Sequence, residues 1–210
     1  MDMQSHQSTA GLPAVEGRSG GGLEFTSPTA GDGPEVHRLI AACPPLDQNS
    51  LYCNLLQCTH WADTCVAVKR GGELVGWISA YRPPQEPDVL FVWQVAVGAA
   101  ARGLGLAGQM ITHLLGRPAC QDVRQIKTTI TPDNGASWGL FTGVARRLSS
   151  PISDAPWFLK GEHFPEGHET EHLVVIGPFA PPSGLAIQSG GLAADAPFTA
   201  PTPRKGLQDV

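Results

Sequence analysis

The hexapeptide Arg102-Gly103-Leu104-Gly105-Leu106-Ala107 is the run of this chain best suited to holding an anion. Glycine lets the backbone approach a ligand closely, a helix N-terminus exposes unpaired amides with partial positive charge, and Arg102 adds a cation. A diphosphate fits such a cradle. The same residues would also serve as a tight strand-to-helix turn that uses glycine only for its dihedrals. A dinucleotide-binding turn is a third reading, but it requires repeated strand-helix-strand units.

A second set of residues suits cations and protons. Asp47, Glu169 and Glu171 can accept hydrogen bonds from ammonium groups, and His168 or Glu171 can take up a proton. Asp47 also fits the N-cap of a helix, because Leu51, Leu55 and Cys58 follow it at helical spacing. Residues His168 to His172 (HETEH) match the zinc motif HExxH, which requires a helix. Here the segment follows the turn signal Phe164-Pro165-Glu166-Gly167 and runs into LVVIGPF, a strand pattern. Extended at about 3.3 Å per residue, the two histidines stand about 13 Å apart, too far for one zinc ion. No metal is expected.

These residues need elements to hold them. VLFVWQVAV (89 to 97) is too continuously apolar for a surface strand and reads as a central one. It leads through the glycine run into Leu104, Ala107, Met110, Ile111, Leu114 and Leu115, which repeat at helical spacing. Just upstream, two apolar segments around Arg70, Gly71 and Gly72 predict an antiparallel hairpin with strands at about 64 to 69 and 73 to 81. That hairpin disagrees with a dinucleotide fold, and the strand and helix flanking the glycine run favour the anion site over a plain turn. Further along, a strand is expected at 125 to 131, a helix at 137 to 148 and a last strand at 172 to 176.

With 210 residues, 41% of them hydrophobic, the chain suits one domain plus tails. Residues 1 to 22 and 181 to 210 are rich in Gly, Ser and Pro and lack periodicity, so disorder is expected there and a folded unit over 23 to 180. A formal charge of -5 gives no attraction to nucleic acid or an anionic membrane, which leaves a small-molecule ligand. Without a transmembrane or signal pattern, the cytoplasm is the default location. Five cysteines without a CxxC pair read as reduced, mostly buried thiols.

The glycine run in this setting resembles the GNAT acetyltransferase superfamily. Four further segments, PPLDQNSLYCNLLQCTHWADTC (44 to 65), FVWQVAV (91 to 97), TTITPDNGASWGLF (128 to 141) and HFPEGHETEHLV (163 to 174), are similar to the diaminobutyrate acetyltransferases of ectoine biosynthesis. Together they cover about residues 35 to 179. The resemblance implies an α/β GNAT fold, with a mixed, mostly antiparallel central sheet flanked by helices on both faces. It implies acetyl-CoA as co-substrate, the 4-amino group of 2,4-diaminobutyrate as acceptor, and a homodimer. It places backbone groups near Val95 and Val97 on the pantetheine arm, the amides of Arg102, Gly103, Leu104, Gly105, Leu106 and Ala107 on the pyrophosphate, and Asn134 and Ser137 on the cofactor. Asp47, Tyr52, Trp93, His168 and Glu171 match the acceptor pocket. Core packing remains open for Tyr52 and Trp93, a helix cap for Asp47, and a polar turn for His168.

Such a reaction needs a base for an ammonium group whose pKa is near 10, and a donor for the oxyanion. Glu171 is the first candidate base, His168 the second, and a backbone amide near Val95 the donor. In the wider superfamily a tyrosine often protonates the leaving thiolate. Phe141 stands at about that position and has no proton to give, so water or another residue must, or the thiolate leaves unprotonated. A GNAT enzyme for another amine, such as a polyamine, and a non-catalytic acetyl-CoA-binding regulatory module are the alternatives.

Overall fold

A computed structural model describes residues 22–165 and 167–180. The tail expectations for 1 to 21 and 181 to 210 lie outside the described residues. Within them, the strands are β1 (Leu23–Thr26), β2 (Val66–Arg70), β3 (Glu73–Tyr81), β4 (Val89–Val97), β5 (Gln125–Ile130), β6 (Ile152–Phe158) and β7 (Glu171–Ile176). The helices are α1 (Gly33–Ala41), α2 (Leu51–Thr59), α3 (Leu106–Leu115) and α4 (Gly135–Arg147). The strands form one sheet in the order β1-β2-β3-β4-β5-β7-β6. Every neighbouring pair is antiparallel except β4 with β5.

Two cores lie on the two faces of this sheet. On one, Leu106, Met110, Ile111 and Leu114 of α3 and Phe141, Val144 and Ala145 of α4 pack on Val75, Ile78, Leu90, Val92 and Ile126. On the other, Val36, Leu39 and Ile40 of α1 and Cys58 of α2 pack on Ala67, Leu74, Trp77 and Ala96. Helices therefore cover both faces, and β4 is buried as its composition predicts.

Three elements are absent from the sequence expectations. Strand β1 has four residues, too few for a visible period. Helix α1 opens with Gly33-Pro34, and Pro34 is accommodated in its first turn, where no amide is required. Strand β6 is a sheet edge whose residues are nearly all exposed, so ISDAPWF carries no apolar alternation, and its Pro156 is tolerated at an edge.

One expectation is corrected. The N-cap of α2 is Ser50, not Asp47: its hydroxyl accepts a hydrogen bond from the Cys53 amide at 3.1 Å, and the helix begins at Leu51. The first two apolar positions of the expected stripe, Leu51 and Leu55, lie within α2 itself, so the cap falls immediately before them.

Candidate active site

Strands β4 and β5 run side by side only where Val89, Leu90 and Phe91 face Gln125, Ile126 and Lys127. Beyond that point β4 stays with β3 as far as Val97, while β5 follows β7 as far as Ile130. The two strands part, and a cleft opens between Val92–Val97 and Thr128–Ile130. A bulge marks the parting: Ser79 pairs with Gln94 and Ala80 with Val92, so Trp93 has no partner on β3.

The glycine run closes one end of this cleft. Gly103 and Gly105 have φ of 75° and 65°, the left-handed region in which a side chain is strained, so glycine is required at both. Gly105 is the N-cap of α3 and supplies no capping side chain, and the first bond of the helix runs from the Gln109 amide to the Gly105 carbonyl. Among the described residues, no hydrogen bond takes up the amides of Gly103, Leu104, Gly105, Leu106 or Ala107. These unpaired donors at a helix N-terminus fit a diphosphate. Arg102 turns back along β4, donating through Nε to the Val97 carbonyl at 3.0 Å. Asn134 caps α4 by accepting from the Ser137 amide at 3.1 Å, placing both residues just past the end of β5.

At the other side of the cleft, Glu171 begins β7 with its side chain only 17% exposed. Burial raises its pKa, the Thr129 hydroxyl and His168 lower it, and the charges of Asp47 and Asp133 raise it again. Its Oε2 is buried and has no hydrogen-bond partner among the described residues. His168 Nε2 lies 3.6 Å from Glu171 Oε1. The other ring nitrogen, Nδ1, is 2.7 Å from the Glu169 carbonyl, which can only accept, so Nδ1 is the donor in that bond and Nε2 faces Glu171. The His168 ring stacks on Phe164 at 4.1 Å. His168 is thus an oriented residue rather than a plain turn residue.

The remaining acceptor candidates divide. Glu169 pairs with Lys160 Nζ at 2.5 Å and is turned to that ion pair. Tyr52 is 70% exposed and Trp93 is 41% exposed, so core packing accounts for neither. Trp93 joins an aromatic group, its ring 6.3 Å from Trp61, which in turn lies 5.9 Å from Tyr81. Asp47 is exposed on the loop between α1 and α2, and its carbonyl accepts from Gln94 Nε2 at 2.7 Å. Phe141 is 2% exposed inside the core and offers nothing to the cleft. Residues 168 to 172 are loop running into strand, not helix, and among the described residues no three His, Cys, Asp or Glu side chains gather around a metal position.

Sequence reasoning passed over Gln94, Thr129, Asp133 and Trp61. Gln94 left a signal, as the lone polar residue in an otherwise apolar central strand. The other three left none, because only the folding of β5 and the α2–β2 connection brings them to the cleft.

A cleft between parting parallel strands, with free amides at one end and a buried carboxylate at the other, matches a known pattern. Residues 34–143 fit the Acetyltransferase (GNAT) family. The chain belongs to the GNAT acetyltransferases. It is 57% identical to the L-2,4-diaminobutyric acid acetyltransferase of Methylotuvimicrobium alcaliphilum over 75% of this chain and 91% of that protein. It is 44% identical to the enzyme of the same name from Halomonas elongata, over 79% of this chain and 86% of that one. In structure, this acetyltransferase is similar to the diaminobutyrate acetyltransferase of Paenibacillus lautus, which was solved with L-2,4-diaminobutyric acid and coenzyme A. The two are 43% identical with a TM-score of 0.74, covering 79% of this chain and 100% of the other.

Proposed function

We propose that this chain transfers the acetyl group of acetyl-CoA to the 4-amino group of L-2,4-diaminobutyrate, giving N4-acetyl-2,4-diaminobutyrate and CoA in ectoine biosynthesis under osmotic stress. The observation that carries the acceptor is Glu171, largely buried, with one carboxylate oxygen unpaired and two further carboxylates, Asp47 and Asp133, close enough to raise its pKa. A dicationic amino acid suits that site, because each ammonium group requires an acceptor. The names of the relatives and the ligands of the Paenibacillus enzyme support the same choice.

Acetyl-CoA supplies a thioester carbonyl for attack by a neutral amine. The amides of Gly103 to Ala107 hold its pyrophosphate, with Arg102, Asn134 and Ser137 beside it. The β4 backbone at Val95 and Val97, on the side away from β3, lies along the pantetheine arm, and an amide near Val95 faces the charge that develops on the carbonyl oxygen. Asp47, Tyr52 and Trp93 hold the acceptor. Glu171 takes the proton from its 4-ammonium group, and its raised pKa brings it nearer to the task than an ordinary carboxylate. His168 orients Glu171 and balances its charge. Phe141 is buried away from the cleft, so solvent receives the thiolate and protonates it.

We infer a cytoplasmic homodimer. The outer edge of β6, with Trp157 and Phe158 exposed, supports pairing, and light scattering of the purified protein tests it. The deciding experiment is turnover of acetyl-CoA with diaminobutyrate and a panel of diamines, with NMR locating the acetyl group. Acetylation at the 4-amino group is expected. A higher kcat/KM for a polyamine would replace the acceptor, and binding without thiol release for any amine would replace the enzyme with a regulatory module.

A further inference from the structure

Gln94 stands alone as a polar side chain in the central strand and is only 5% exposed, so both ends of its amide require partners. Both are found on one loop. Nε2 donates to the Asp47 carbonyl at 2.7 Å, and Oε1 accepts from Asn49 Nδ2 at 3.0 Å. The loop from Ala42 to Ser50 has no regular structure, and Pro44, Pro45, Asp47, Gln48 and Ser50 are all exposed. Elsewhere it is held by Cys43 Sγ on the Val97 carbonyl and by packing of Leu46. The two bonds to Gln94 therefore fix the part of the loop that carries the Asp47 carboxylate.

Gln94 is also the first paired residue after the bulge at Trp93. The strand that parts to form the cleft, the exposed Trp93 ring and the anchor of the Asp47 loop thus share two consecutive residues. Because the anchor takes the Asp47 backbone carbonyl, the carboxylate is left for a ligand, and no hydrogen bond among the described residues uses it.

We infer that Gln94 is a positioning residue for the acceptor: it holds the Asp47 loop against β4 so that the Asp47 carboxylate stands at a fixed distance from Glu171. The inference rests on the reading of Asp47 as an acceptor-binding carboxylate. Leucine at position 94 would fill the same space while leaving the Asp47 carbonyl without its donor and Asn49 without its acceptor.

The test measures steady-state kinetics with diaminobutyrate and acetyl-CoA for Gln94→Leu, Asn49→Ala, Asp47→Asn and the Asp47→Asn/Gln94→Leu double variant, with melting temperatures alongside. Gln94→Leu is expected to raise the diaminobutyrate KM by roughly 5- to 20-fold, with kcat within about threefold and the acetyl-CoA KM unchanged. Asn49→Ala should shift the same constant in the same direction by less. In the Asp47→Asn background, Gln94→Leu should add less than about twofold, since it acts through Asp47; a purely structural role would multiply instead. If Asp47→Asn raises the diaminobutyrate KM and Gln94→Leu does not, the positioning role falls and the reading of Asp47 stands. If Asp47→Asn leaves that KM unchanged, both fall. Should Gln94→Leu fail to fold, Asn49→Ala decides, and a parental diaminobutyrate KM for that variant overturns the inference.

Discussion

Burial, with the charges of Asp47 and Asp133 nearby, raises the pKa of Glu171 against the opposing pull of Thr129 and His168. If Glu171 is the base, as proposed, it must be ionised to act, so the acid limb of the kcat/KM profile should lie above the ordinary carboxylate range. Glu171→Gln should lower kcat at neutral pH by about 10²- to 10³-fold, with partial recovery at high pH as free amine accumulates, while acetyl-CoA affinity stays parental. A near-parental rate with an unaltered pH profile would remove Glu171 from the chemistry and turn attention to His168. Stability should move the other way. Because the folded-state pKa is raised, the protonated carboxyl contributes stability that is complete below the unfolded pKa and lost as pH rises through the folded one. The neutral glutamine escapes that loss, so the variant should melt above the parent at neutral pH, and the gap should shrink in acid. Residue type and the family resemblance single out Glu171 and His168 as candidates. Their environment was not legible, because Thr129 and Asp133 reach Glu171 only through the pairing of β5 with β7.

Ser50 and Asp47 separate two roles that the sequence leaves merged at the start of α2. Loss of the cap in Ser50→Ala should cost about 1 kcal/mol, a fall of roughly 2–4 °C in Tm, with kinetic constants little changed. Asp47→Asn should leave Tm in place and raise the diaminobutyrate KM. A destabilised Asp47→Asn would return the capping role to that residue. At α3, Gly105→Val forces a branched side chain into a left-handed N-cap, which should cost at least about 1–2 kcal/mol and raise the acetyl-CoA KM or abolish turnover. A folded Gly105→Val protein that binds acetyl-CoA as the parent does would show that the cofactor lies elsewhere. Elements with a strong period were readable: β3 and β4 fall where their apolar runs predict, and α3 and α4 shift by two residues at their starts. What escaped was short, as with β1, or exposed on both faces, as with β6, since neither buries enough side chain to print a pattern.

We propose from composition a folded unit of 23 to 180, and the chain cut to those residues should then fold and turn over acetyl-CoA as the full chain does. Loss of both solubility and activity would show that a tail contributes to the fold. The order of the sheet was not legible, even though its strands were, because sequence alone does not tell that β7 enters between β5 and β6. That insertion matters to the cleft. It gives β5 a partner that draws it away from β4, so the parting of the two strands is a property of the whole sheet rather than of either strand.

The parting also leaves the sheet with an edge on its inside, in addition to those on β1 and β6. The backbone groups of β4 that point away from β3 between Val92 and Val95 face a gap where a neighbouring strand would normally be, and the amide-bearing arm of acetyl-CoA can enter as a short surrogate strand. Occupancy then becomes part of what keeps the chain folded: at a hundred times its Kd, acetyl-CoA would add about 2.7 kcal/mol. Melting temperature should climb with the logarithm of acetyl-CoA concentration, and amide exchange along β4 should slow with it. A cell rich in acetyl-CoA would keep more of this protein intact than a starved one, and its abundance would follow carbon supply without any change in its synthesis.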